Sequence, residues 1–148
     1  MRQEEFLHVC RTASLELGAQ DPDHLGEHGE IEVNDVQIGL FLDSADLMCC
    51  YVGVGAVAPV NRADVFETLL KMNLYTGTKT NGVYAIDPDS GQVVIVAHLN
   101  ARGPWTGERL AKLLRSYAHM ASQMREQLLP GMPAPAAPDQ SALMAQLA

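Results

Sequence analysis

Between Ile31 and Leu40 the apolar residues alternate with the others on both sides of Asn34-Asp35: Ile31 and Val33 before the pair, Val36, Ile38 and Leu40 after it. Side chains of a strand point to opposite faces with a period of two, so a slip of one residue would turn every apolar group outward. Asn and Asp tolerate positive φ, as a two-residue hairpin turn demands. This stretch therefore fixes an antiparallel hairpin with one apolar face. Phe41 and Leu42 extend its second strand until Asp43-Ser44-Ala45-Asp46 turns the chain. Leu47 to Val54 is a third strand, so continuously apolar that it reads as central. Short connections make the three an antiparallel meander.

Helices stand on either side of it. From Arg2 to Leu17, Phe6, Val9, Cys10, Ala13 and Leu17 fall on one helical stripe, ended by Gly18 and Asp21-Pro22. A polar loop with Gly and His is expected from there to Gly29. After Pro59, Asn61 is placed to start a helix whose apolar face is Val65, Phe66, Leu69, Leu70 and Met72. That helix is expected to break off near Asn73, because Asn73 to Asn81 is polar and rich in turn formers. Gly82 to Ile86 and Gln92 to Leu99 then form a second hairpin about Asp87 to Gly91. Thr106 opens a long helix along Leu110, Leu113, Leu114, Tyr117, Ala121, Met124 and Leu128, which Pro130-Gly131 ends. The expectation is an α+β domain, α-β-β-β-α-β-β-α, with a five-stranded, mostly antiparallel sheet and helices packed against it over residues 1–129. Residues 130–148, rich in Pro and Ala, are expected to form a flexible tail.

A chain of 148 residues closes one core without disulfide or metal. Its net charge of −8 sets it against nucleic-acid phosphates. No Lys or Arg occurs from Thr12 to Asn61, where Glu16, Asp21, Asp23, Glu27, Glu30, Glu32, Asp35, Asp43 and Asp46 all stand. Such a segment is either a solubilising face or an attractor of basic partners. The apolar runs are too short for a membrane span. Acid follows Met1-Arg2-Gln3 where a signal peptide is basic, so the expected place is the cytoplasm. Cys10, Cys49 and Cys50 make no even framework and read as small buried hydrophobes of a reducing compartment.

Candidate chemistry is thin. Asp87-x-Asp89-x-Gly91 opens like a calcium loop, but its twelfth position is His98 rather than Glu. His24 and His28 have a metal-like spacing, yet Pro22 and Gly26 oppose a helix and no Glu follows His24. His8, His98 and His119 are scattered, and Ser14 and Ser44 lack a nucleophile elbow. There is no glycine-rich phosphate loop. No cofactor is expected and no enzymatic activity is supported. What remains is apolar surface in excess of one core, the mark of an interface.

The succession of an amphipathic helix, the meander with "QIGLFLDSADLMCCYVGVG", the leucine-rich helix "FETLLKMNL" ending in Asn, the hairpin "GVYAIDPDSGQVVIVAHL" and a long Leu-rich helix resembles the type III secretion chaperones of the Tir-chaperone-like (CesT-like) family. The resemblance covers residues 2–128. It implies a cytoplasmic bacterial homodimer without catalysis that holds an N-terminal segment of a secreted effector extended and ready for export. It implies a dimer interface on the middle helix, with Val65, Phe66, Leu69, Leu70 and Met72. It also implies effector-binding grooves of the first helix and the sheet, with Phe6, Val9, Cys10, Leu40, Leu42, Val94 and Val96. The other readings are an adaptor domain of the same fold that binds a folded partner, and a small metal-dependent hydrolase built on His24 and His28.

Overall fold

A computed structural model describes residues 1–80 and 82–128, with residues 76–80 as backbone only. The element order is α1 (Gln3–Glu16), α2 (His24–His28), β1 (Glu30–Val33), β2 (Val36–Ser44), β3 (Leu47–Ala56), a 3-10 turn (Pro59–Asn61), α3 (Arg62–Thr80), β4 (Gly82–Ile86), β5 (Gln92–Asn100) and α4 (Gly107–Leu128). All strand pairs are antiparallel, in the order β1-β2-β3-β5-β4. The fold is the expected α+β arrangement. The tail expected at 130–148 lies outside the described residues.

The opening hairpin forms as its alternation dictates. Val33 pairs with Val36, and Asn34 and Asp35 take φ of 51° and 63° between them. Inward residues of the meander and of β5, namely Met48, Cys50, Val52, Ile95 and Ala97, meet α1 and α4 in one core. Onto it α4 lays Leu110, Leu114, Tyr117 and Ala121, and α1 lays Phe6, Val9, Cys10 and Ala13. Each large aliphatic side chain buried this way contributes about 1.5–3 kcal/mol. At the C-terminus of α1, Gly18 takes φ 74°, and the Ala19 amide donates to the Ser14 carbonyl. Arg115 of α4 donates to the Glu16 carbonyl, so the second helix also satisfies the end of the first.

Two expectations change. The segment expected as a loop up to Gly29 contains α2, one turn whose Gly29 cap has φ 74°. His24 and His28 do share a helix face, with ring centroids 4.6 Å apart. Leu25 anchors that turn in the core, which the polar composition concealed. No group of three metal-ligating side chains occurs among the described residues. The middle helix does not stop near Asn73 but runs to Thr80. Tertiary contacts of Asn73, described below, hold it on course where composition read turn.

α1 and α4 approach closely at Gly107. A Cβ there would lie 2.4 Å from Thr12 Cβ and 2.7 Å from the Thr12 carbonyl carbon. Gly107→Ala should therefore cost about 1–3 kcal/mol through overpacking. Thermal unfolding followed by circular dichroism checks this: a melting temperature equal to that of the parent chain would mean the helices separate at no cost.

Candidate functional site

The site grows from α3 and β4. β4 is an edge strand, so half of its backbone groups face away from β5. Asn73 lies across that edge. Its Nδ2 donates to the Tyr84 carbonyl at 3.0 Å, and the Tyr84 amide donates to its Oδ1 at 2.7 Å. One carboxamide thus takes the place of a strand residue and bolts α3 to the sheet. On the inner side Val65 and Leu69 enter the core. On the outer side Leu70, Leu74 and Tyr75 are 73%, 72% and 69% exposed, with Phe66 half-buried beside them. Between helix and strand opens an apolar cleft of about 240 Å³ lined by Phe66, Leu69, Leu70, Asn73, Tyr84 and Ile86.

A second surface lies on the other face of the sheet, where the described residues place no helix. Cys49 and Tyr51 form a small cluster of their own there, with Phe41, Leu47 and Val96 half-buried around it. Phe41 and Tyr51 stack at 5.6 Å with their planes 17° apart. Tyr51 is 1% exposed and its hydroxyl has no hydrogen-bond partner. Desolvation, with the Cys49 and Asp43 charges adding to it, pushes this phenol up to about 12.

The residues that the sequence proposed fall into separate places. Phe66, Leu69 and Leu70 line the cleft together, with Met72 half-buried and Val65 buried on the core side. Phe6, Val9, Cys10 and Leu40 are buried within the protomer core, and Leu42 is half-buried against it. Val94 and Val96 stand on the opposite face, since β5 turns Val93 and Ile95 inward. The two groups therefore form no common groove in the protomer; the period of two separates them. Phe41, Tyr51, Leu74 and Tyr75, which border these two surfaces, were not among the proposed residues. Alternation from Leu40 and Leu42 already sends Phe41 outward, and that signal was legible.

Burial also settles the thiols. Desolvation holds Cys10 and Cys50 at about 12 and, with Asp43 adding to it, Cys49 at about 11, so all three stay protonated and weakly nucleophilic. Each proton is held more tightly in the folded chain than at the ordinary value of 9.0. Stability from these groups is fully present below pH 9 and falls as pH rises from about 9 towards 12. Under reducing conditions the melting temperature should hold from pH 7 to 8.5 and drop by pH 10.5. A Cys10→Ala, Cys49→Ala, Cys50→Ala chain should show a smaller drop; an equal one would assign the effect elsewhere.

No family model and no curated protein matches this sequence. Solved structures do match its fold. A chain of the ExsC–ExsE complex superposes with TM-score 0.69 at 13% identity, over 85% of this chain and 95% of that one. The Yersinia pestis type III secretion chaperone SycH, in complex with a fragment of YscM2, gives 0.59 at 17% identity over 80% and 98%. The HopA1–SchA chaperone–effector complex gives 0.58 at 12% over 84% and 94%. With its helix-backed antiparallel sheet and its α3 bound to the β4 edge, the chain carries the fold of type III secretion chaperones.

Proposed function

We propose that this protein is a homodimeric chaperone of the bacterial cytoplasm, binding an N-terminal segment of a type III secreted protein and keeping it soluble and competent for export. The observation that carries the reading is a fold matched by chaperones solved with a protein fragment or an effector, joined to apolar surface on α3 that the protomer leaves open. The work is binding, without catalysis or cofactor. An extended client brings unpaired amides and alternating side chains, which a sheet edge and an apolar face can meet together. Ordering such a client costs about 1–2 kcal/mol per residue of backbone, so a large contact area has to offset it. With Asn73 holding the β4 edge, β1 is the edge left for an added strand.

The dimer is assigned to the outer stripe of α3, Phe66, Leu70 and Leu74, beside the cleft. Stable interfaces bury roughly 1,200–2,000 Å² in total, more than one stripe supplies, so β4 joins it. Leu69 is 4% exposed, and a charge there would break the protomer before testing any dimer. Leu70→Glu is the cleaner probe.

Sedimentation velocity at micromolar concentration should give twice 16.0 kDa for the parent chain and 16.0 kDa for Leu70→Glu, with unchanged circular dichroism. A monomeric parent would sink the dimer, and a dimeric variant would move the interface elsewhere. For the client, unfolded N-terminal segments of secreted proteins from the same cell should bind in calorimetry. Binding restricted to folded proteins would favour an adaptor instead.

A further inference from the structure

The sheet face on which the described residues place no helix has a charge pattern that the dimer and the strand edge leave unused. None of the residues in β1 to β5 is Lys or Arg. Three carboxylates nevertheless border this face. Glu30 and Glu32 alternate with the buried Ile31 and Val33, and Asp43 sits at the register shift that ends β2. Asp43 follows Phe41 by two residues on β2, and its charge adds to the raised pKa values of Cys49 and Tyr51. The nearby Arg102 is already engaged with Asp46 at 2.7 Å.

The spacing is regular. Glu30 lies opposite Gly39, whose lack of a side chain leaves the strand bare between Glu30 and Tyr51. Phe41 is two residues farther along β2 and Asp43 two beyond that, so the acids are about 13 Å apart along the strand direction with Phe41 midway, while Tyr51, level with Glu30, stacks on Phe41 from β3. A strand laid over this face presents its own side chains every second residue at the same rise. It therefore meets acid, aromatic and acid with positions i, i+2 and i+4.

We propose that this face seats an extended client segment in which a large apolar residue is flanked at two residues on either side by Lys or Arg, the apolar group on Phe41, Tyr51 and Val96 and the cations at Glu30 and Asp43. The proposal rests on the chaperone reading and names the client chemistry that reading leaves open. The buried Tyr51 hydroxyl beneath this strip has no partner in the protomer and is a donor that a client carbonyl would satisfy. Long basic side chains lay their methylenes along the same apolar strip while their heads reach the carboxylates.

The test uses the full chain and a fluorescent peptide centred on Lys-Ser-Phe-Ser-Lys, against the isomer Lys-Lys-Phe-Ser-Ser and the acidic Glu-Ser-Phe-Ser-Glu. Anisotropy at low salt should show the spaced peptide at least about tenfold tighter than its isomer, with no binding of the acidic one. Glu30→Lys with Asp43→Lys should erase that preference, whereas Glu108→Lys with Glu126→Lys on exposed parts of α4 should keep it. Equal binding of the two isomers, or equal loss from both variant pairs, overturns the proposal in favour of general charge attraction. Dissociation of dimers by Phe41→Asp in sedimentation would assign the face to a second copy and overturn it as well. A secreted client that binds the Glu30/Asp43 variant undiminished removes this site and leaves the chaperone reading standing; failure of every unfolded segment to bind the parent removes both.

Discussion

The packing of α4 and α1 on one face of the sheet is the contact on which the remainder depends. Leu110, Leu114, Tyr117 and Ala121 meet Met48, Cys50, Val52 and Val54, and α1 fills the flank. Among the described residues the helical cover lies on one face, so the inner residues of the strands join the helices in the main core and the outer ones cluster apart from it. A second helical layer would have used Phe41, Tyr51 and Val96 as core. With none among the described residues, they form a separate cluster on the far side of the sheet. The one-sided core also explains why Gly107 matters, since the sealing layer holds only if α1 and α4 approach to within a methyl group of each other.

Asn73 solves the other problem such a sheet has. An unpaired edge invites any strand, including one from another copy. A side-chain amide carries the same donor and acceptor as a peptide unit, so it pairs with Tyr84 without extending the sheet. Fixing the helix by this pair sets the direction of α3, which then turns Leu69 inward and Leu70 and Leu74 outward. Closure of an edge and display of an apolar stripe thus come from one residue.

Much of this was legible in the residues, and for identifiable reasons. The hairpin at Asn34-Asp35 and the Thr106 start of α4 are local: a turn with positive φ, and a hydroxyl that accepts the Arg109 amide at 3.1 Å. Asp87 likewise organises its own loop, accepting the Asp89 amide at 3.1 Å. The length of α3 was not legible, because the partner of Asn73 is eleven residues away on β4. Nor was α2, whose single apolar anchor, Leu25, lies among polar neighbours. The binding candidates failed to share a face for a different reason. Apolar character marks both sides of a central strand such as β5, so it identifies residues to bury without saying which side each takes.

Charge completes the argument. In the protomer every Lys and Arg lies on the helices or the loops, while the strands carry only acids and His98. A carboxylate beside half-buried apolar surface keeps that surface soluble when empty, since hydration of the charge opposes stacking of like faces. The same carboxylate becomes favourable when a cation arrives with the apolar group, because the ion pair then forms partly out of water. An acid-bordered apolar strip therefore resists its own kind and accepts a chain of mixed basic and apolar residues. That asymmetry is what a protein needs if it must remain soluble alone and still hold an unfolded partner.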